Sequence, residues 1–384
     1  MKRLLIILKD KMSELISKGE ITERYYNPSD FFDEVHILLL NEDSFDANKM
    51  KKTVGRADLK IYNVPLKKDA YLFFNILPNL WKTSGPFKKI FSLLEKIRPN
   101  LVRVYGNGIN GYVAAKIKER YGIPFIISIH HHVYSGYDSD KSILRTKISR
   151  ILLEPIQRIG LLNADMVLPV YKCIEPYLEK LGVKKYQTLY NAVNSNFVTK
   201  KNYDLQNPVK LVCVGRQIVA KNPINLIKAV SRIKNAEITL IGDGDQHQIL
   251  VDYANKIRVC GNSVKFIKSL ANDDLCRQLQ HFDIFVGVNH YSGISKTLIE
   301  ALLVGLPCIH NAVKKYENPE LSNDYLLLVG EDTDEEYYRA IKRLIDDDIF
   351  RKRIGENGKK FFFDHFHPKN LEKQHAAIYA NFLN

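Results

Sequence analysis

The chain has 384 residues, 45% hydrophobic and 26% charged, with a formal net charge of +14. That length is too great for one ordinary core and fits two domains of nearly 200 residues each, while apolar runs such as 4–8 and 35–40 are far short of the roughly 20 residues needed to cross a bilayer. The five cysteines (Cys173, Cys213, Cys260, Cys276 and Cys308) are odd in number with no CxxC pair, which reads as buried thiols in a reducing cytosol rather than a disulfide framework or a zinc site.

Met1-Lys2-Arg3 followed by residues 4–8 mimics the start of a secretory leader. Lys9, Asp10 and Lys11 cut the apolar run short and no small-residue cleavage site follows, so the segment reads as a first buried strand. Further strands are expected at 34–40, 59–63, 101–105, 124–130, 166–170 and 187–190, then at 210–215, 237–242, 263–267, 283–288, 307–310 and 325–329. Helical patterns separate them, as at 110–121, 222–234 and 296–303. Near-continuous apolar strands alternating with helices predict an α/β fold of parallel, doubly wound sheets covered on both faces. Apolar periodicity lapses near 195–208, which divides the chain into two such domains with a linker between them.

Charge divides unevenly across that break. Residues 1–200 carry 32 Lys/Arg against 20 Asp/Glu, and the excess peaks between Lys49 and Arg103, where 13 basic residues face Asp58, Asp69 and Glu95. An aromatic-aliphatic segment, residues 71–81 ending in the single Trp81, runs through the same stretch. Basic residues beside such a segment suit an anionic lipid surface, and they equally suit a buried helix with solvated lysines. No nucleic-acid recognition motif accompanies the charge, and nucleic acid is not expected as a partner.

Gly106-Asn107-Gly108-Ile109-Asn110-Gly111 is a literal GxGxxG after one strand and before a helix. It would suit a nicotinamide dinucleotide and hence an oxidoreductase, but the next strand ends at His130, where an acid would be needed for the ribose diol. The loop is therefore read as a tight turn whose N–H groups face donor or acceptor. His130-His131-His132 places two imidazoles on one strand face without a third metal ligand in reach, and no metal is expected.

In the second half, Gly215-Arg216 follows a strand and Lys221-Asn222-Pro223 opens a helix. Two cations and free N–H groups at that place can neutralise a diphosphate, though such a pair also occurs as plain surface charge. Ile241-Gly242-Asp243-Gly244 reads as turn chemistry. The run Ser292-Gly293-Ile294-Ser295 leads into a helix that carries Glu300 among apolar residues. A carboxylate there is costly unless it accepts hydrogen bonds, for which a ribose diol or a structural cation would serve.

In order and spacing these features resemble the retaining GT-B glycosyltransferases of family four (glycosyl transferases group 1): Gly-Arg-x4-Lys-Asn, then Ile-Gly-Asp-Gly, then Glu-Ala-x3-Gly-x-Pro. Ile127-Ser128-Ile129-His130 and Tyr190-Asn191-Ala192-Val193-Asn194 match the first half more loosely, and only Lys18-Gly19-Glu20 stands where a Gly-Gly loop is usual. The resemblance implies two Rossmann-like domains: an acceptor-binding domain at 1–195, a linker at 196–208, a nucleotide-sugar-binding domain at 209–365, and a C-terminal helix at 366–384 packing back toward the first domain. It implies that Arg216 and Lys221 hold the donor diphosphate and Glu300 the ribose, that Ser292, Gly293, Ile294 and Ser295 line the donor sugar, and that His130 borders the reaction centre. Gly106, Asn107, Gly108 and Asn191 would line the acceptor or cleft loop. The family's second Glu, eight residues before the ribose Glu, is replaced here by Ser292. The expected activity is hexosyl transfer from a nucleotide diphosphosugar to a glycan or lipid-linked acceptor in envelope or polysaccharide biosynthesis. It would need no cofactor and would take place in the cytoplasm or at the inner face of its membrane. A non-catalytic sugar-nucleotide-binding protein of the same fold is the alternative.

Overall fold

The computed structural model describes residues 1–17, 21–66, 80–130, 143–191, 193, 198–200, 202–257, 263–291, 293–312 and 318–383. Lys18-Gly19-Glu20, most of the 71–81 segment, His131, His132, Ala192, Asn194, Cys260 and Ser292 lie outside the described residues. The chain forms two compact units, residues 1–192 with 369–384, and residues 193–368.

The first unit holds a six-stranded sheet of β1 (Arg3–Leu8), β2 (Glu34–Leu39), β3 (Asp58–Asn63), β4 (Leu101–Tyr105), β5 (Phe125–Ile129) and β6 (Met166–Pro169), in the order β3-β2-β1-β4-β5-β6. The second holds β7 (Val209–Val214), β8 (Ala236–Ile241), β9 (Ser263–Ile267), β10 (Ile284–Gly287), β11 (Cys308–Asn311) and β12 (Leu327–Val329), in the order β12-β11-β10-β7-β8-β9. All recorded strand pairs are parallel. Read from the opposite edge, the second order repeats the first, so each sheet reverses direction between its first and fourth strands. Ligands of such sheets gather at the carboxyl ends of the strands beside that reversal, here β1/β4 and β7/β10.

The strands form because their apolar residues are buried on both faces: Leu4, Ile6, Ile7, Ile126 and Ile127 are fully buried in the first sheet, as are Leu211, Val212, Ile284 and Phe285 in the second. The expected strand at 187–190 is a difference. Its Gln187 and Leu189 N–H groups donate to Val167 and Pro169 of β6 at 3.0 and 2.9 Å, but the pairing amounts to one bridge, Val167 to Tyr186. An extended run along one sheet edge, too short for a ladder, carries the apolar signal of a strand without becoming one.

Helices α1 (Met12–Ser17), α2 (Gly85–Ile97), α3 (Ile109–Tyr121), α4 (Ile143–Asn163) and α5 (Glu175–Leu181) belong to the first unit. Ser84 caps α2 by accepting from Phe87 N–H, and Phe87, Ile90, Phe91, Leu94 and Ile97 form its buried stripe while Lys88, Lys89 and Lys96 are exposed. Trp81 is 4% exposed and packs on Phe87 and Phe91. The described part of the basic aromatic stretch is thus an amphipathic core helix with solvated lysines. No helix among the described residues is long and apolar enough to cross a membrane.

Helices α6 (Ile224–Ser231), α7 (His247–Lys256), α8 (Asn272–Gln278), α9 (Lys296–Val304), α10 (Asp334–Asp346) and α11 (Asp348–Phe366) cover the second sheet, and α12 (Pro368–Leu383) ends the chain. In the first unit, Glu372 of α12 accepts from Arg24 at 2.9 Å and from Ser29 N–H at 2.7 Å, and Tyr379 meets Phe32 edge-on at 5.3 Å. In the second, Lys200 is buried against Asp283 at 3.7 Å and donates to Phe282 O at 2.7 Å, while Gln206 and Lys210 N–H groups also bond Asp283. The described cysteines, Cys173, Cys213, Cys276 and Cys308, are buried free thiols.

Candidate donor site and the strand ends of the first unit

At the end of β7 the chain turns under a tight constraint. A Cβ on Gly242 would lie 1.9 Å from Gly215 O, and Gly242 has φ +143°, so glycine is required for the β7 and β8 loops to touch. Gly215 N–H then donates to Ile241 O and Gln217 N–H to Asp243 O, both at 2.9 Å. Gln217 is buried, and its Oε1 accepts from His247 Nδ1 at 2.6 Å. The glycine turn read as simple turn chemistry therefore clamps the segment that carries Arg216.

Arg216 is exposed, and Lys221 is half-buried along Gly215. Burial, and then the neighbouring Arg216 guanidinium, holds the Lys221 ammonium below its ordinary pKa. Among the described residues no carboxylate pairs with Lys221 or Arg216. Asn222 Oδ1 accepts from the N–H of Ile224, the first residue of α6, at 3.0 Å. Two like charges held together without an anion lose stability, which a bound diphosphate would restore.

The loop after β10 meets this segment. His290 N–H donates to Ala220 O at 3.0 Å, and Thr297 Oγ1 donates to Val214 O at 3.3 Å. Asn289 and Asn311 exchange bonds, Asn289 N–H to Asn311 Oδ1 at 2.7 Å and Asn311 Nδ2 to Asn289 O at 3.0 Å. Gly293 N–H donates to Asn318 Oδ1 at 3.2 Å, Ile294 is buried, and Ser295 Oγ caps α9 by accepting from Leu298 N–H. Glu300, one turn into α9, is 1% exposed, and its Oε1 accepts from Asn272 Nδ2 at 3.0 Å. The structure thus brings Arg216, Lys221, Gly293, Ile294, Ser295 and Glu300 to one edge of the second sheet; Ser292 lies outside the described residues.

Sequence reasoning missed Asn272, the asparagine pair and His310. His310 is fully buried against Gly287, its Nδ1 donates to Asn311 O at 2.8 Å, and burial lowers its pKa to about 4. Asn272 reaches Glu300, Asn289 reaches Asn311 and Gly287 meets His310 from positions far apart in sequence, so no local pattern marks them.

In the first unit, Gly106, Asn107 and Gly108 follow β4, His130 follows β5, and half-buried Asn191 follows the segment along β6. His130 lies 6.1 Å from the Tyr105 ring. The third glycine of the GxGxxG has a packing role: a Cβ on Gly160 of α4 would come within 3.1–3.4 Å of Gly111 backbone atoms in α3. The pattern therefore records a close helix crossing and needs no dinucleotide to explain it. Among the described residues no group of three or more His, Cys, Asp and Glu could hold a metal ion.

The family model described as "Glycosyl transferases group 1" matches residues 196–361. The chain is 23% identical over 353 residues to an uncharacterized glycosyltransferase of Methanocaldococcus jannaschii, covering 85% of this chain and 86% of the relative. It is 23% identical over 311 residues to a Campylobacter jejuni N-acetyl-D-galactosaminyltransferase named for a PP-undecaprenol glycan, covering 79% and 81%. Among solved structures, Anabaena HepE in complex with UDP superimposes with a TM-score of 0.72 at 15% identity, covering 99% of this chain and 100% of that one. Two parallel six-stranded sheets in this strand order are the GT-B fold, and residues 196–361 carry the match to the glycosyl transferases group 1 family of glycosyltransferases.

Proposed function

We propose that the protein moves a hexosyl group from a UDP-linked donor to a glycan or lipid-linked acceptor, with retention at the anomeric carbon. The observation that carries this reading is the cation pair Arg216 and Lys221, held together at the end of β7 with no carboxylate partner among the described residues. As the glycosidic bond breaks, charge develops on the leaving diphosphate. Cations already in place stabilise it without reorganising, and more strongly where water is excluded around half-buried Lys221. Glu300, steadied by Asn272, accepts from the ribose hydroxyls. Gly293, Ile294 and Ser295 line the donor sugar, and His130 is the hydrogen-bonding group that the first unit offers to the reaction. Gly106, Asn107, Gly108 and Asn191 receive the acceptor. With two cations at the phosphates the reaction needs no metal.

The choice of UDP is supported by HepE, whose structures hold UDP and UDP-glucose. A lipid-linked acceptor is supported by the Campylobacter relative's PP-undecaprenol glycan. Exposed Lys82, Lys88, Lys89 and Lys96 support work at an anionic cytoplasmic membrane face. Ser292, where the family resemblance expects Glu, favours a second reading in which the nucleotide binds and no sugar moves.

One experiment separates these. A panel of UDP, GDP and ADP sugars is scored for thermal stabilisation and then for release of free nucleotide. UDP should raise the melting temperature, since a ligand that binds the folded state stabilises it by mass action, and UDP-sugars should release UDP. Stabilisation without release would support the binding-protein reading. No stabilisation by any nucleotide would remove the donor site.

A further inference from the structure

Arg103 lies in the middle of β4 and is fully buried. Its Nη2 donates to Ser128 Oγ at 2.5 Å, while Nε and Nη1 meet no acceptor among the described residues. The groups that bear on its charge are tyrosines, Tyr379, whose hydroxyl lies beside the guanidinium just outside good hydrogen-bond geometry, then Tyr105 and Tyr25, with no carboxylate among them. A buried cation left in this state is expensive, and proteins ordinarily pair it. Its guanidinium carbon sits 4.9 Å from the Tyr105 ring centroid, and Tyr105 contacts Tyr25 and Tyr26 at 5.5 and 5.4 Å. Register with β5 sets Arg103 opposite Ile126 and Tyr105 opposite Ser128, so Arg103, Tyr105, Ser128 and, beyond the strand, His130 share one face of the sheet.

β4 ends two residues beyond Arg103, beside the sheet's reversal, and there the chain offers donors. Gly106 turns at φ +87°, a conformation open to glycine. The loop is fixed from three sides: Gly106 N–H donates to Ser128 O at 2.8 Å, Gln157 Nε2 to Asn107 O at 3.1 Å, and Asn110 Nδ2 to Tyr105 O. The thirteen-residue helix α3 follows, and the first N–H groups of a helix have no intrahelical acceptor. Among the described residues none accepts from the backbone N–H groups of Asn107, Gly108 or Ile109, and the Asn107 carboxamide is buried without a partner.

We propose that this strand end is an anion-receiving site, and that the acceptor substrate carries a phosphate or carboxylate there. The Asn107–Ile109 N–H groups and the Asn107 amide hold the anion, and Arg103 supplies positive potential from beneath. The identification of the anion's owner as the acceptor rests on the glycosyl-transfer reading; the anion site itself does not.

The test is isothermal titration of the full chain at low salt, with the donor site first saturated by UDP. Inorganic phosphate and succinate are titrated in turn, with glycerol as a neutral control. One saturable site for phosphate alone indicates a phosphate-bearing acceptor, and for succinate alone a carboxylate-bearing one; either result, or both, supports the site. Arg103→Met and Asn107→Ala should each weaken that binding by about tenfold or more, as loss of bonds to a charged group does. Asn107→Ala keeps the test open should Arg103→Met fail to fold. If neither anion saturates, or if folded variants bind like the parent, the site is refuted. Should UDP itself fail to bind, the donor reading falls, and phosphate titrated into Lys221→Ala protein still decides the anion site.

Discussion

The two units repeat one strand order and differ in how they hold positive charge at the sheet's edge. In the second, Arg216 is exposed and Lys221 half-buried, side by side beyond β7. In the first, whose sequence carries most of the chain's excess charge, solvated lysines lie along α2, while Arg103, in one of the two strands at the reversal, is buried within β4. Topology therefore decides where a ligand gathers, and burial decides what it meets: side-chain cations in one unit, backbone N–H groups over a hidden charge in the other. Direct cations suit a diphosphate that leaves with growing charge. Fixed N–H groups suit a group that is held and does not change its charge.

The largest test of this contrast is Lys221→Ala. If the second unit works through direct cations, UDP release from a UDP-sugar should fall by about a hundredfold to a thousandfold, the range seen when one preorganised charge-stabilising donor is lost. The fold should survive, because Lys221 makes no ion pair among the described residues, and circular dichroism checks that. Release within about twofold of the parent would move the diphosphate elsewhere.

A smaller effect is expected from Glu300→Gln. One bond from a ribose hydroxyl to a carboxylate is worth about 1.5–3 kcal/mol, so UDP affinity should fall by at least about tenfold. The parent should also prefer UDP to 2′-deoxy-UDP, and the variant should lose that preference. A preference kept by the variant would return Glu300 to a structural role with Asn272.

Much of the fold was legible because apolar strand runs between helical patterns need no tertiary information: the expected strands 3–8, 101–105 and 263–267 match β1, β4 and β9 residue for residue. The run at 187–190 carried the same signal, yet its pairing along β6 amounts to a single bridge. Trp81 and its lysines looked equally fit for a membrane or a core until the buried stripe of α2 claimed the indole. Arg216, Lys221 and Glu300 were legible as candidates because each follows a strand end in sequence. Their supports were not, since Asn272 reaches Glu300 across 28 residues and Asn289 reaches Asn311 across 22. Arg103 was visible as a charge inside an apolar strand, but its lack of a carboxylate is a fact of three dimensions.

The smallest predicted effect compares the units through acid. Two imidazoles are held alike by a backbone carbonyl: half-buried His375 donates from Nδ1 to Leu371 O at 3.0 Å in the first unit, where buried His36 instead meets Glu34, and fully buried His310 donates from Nδ1 to Asn311 O at 2.8 Å in the second. Burial lowers both to a pKa of about 4, helped in the first unit by Arg103 and in the second by Lys221. Against an unfolded value of about 6.5, the unfolded chain binds more protons between these limits. Stability is therefore fully present above about pH 6.5 and is lost as pH falls toward 4, by up to about 1.4 kcal/mol per pH unit for each imidazole. Hydrogen exchange followed by mass spectrometry from pH 7 to pH 5, corrected for the intrinsic pH dependence of exchange, reads the two units separately. His375→Phe should flatten the acid slope in residues 1–192 and leave that of 193–368 unchanged. Arg103→Met should flatten the first unit's slope partly, since it removes the charge that assists burial. If His375→Phe leaves the first unit's slope intact, its acid sensitivity arises elsewhere, and the lowered pKa of this imidazole has no bearing on how the unit responds to pH.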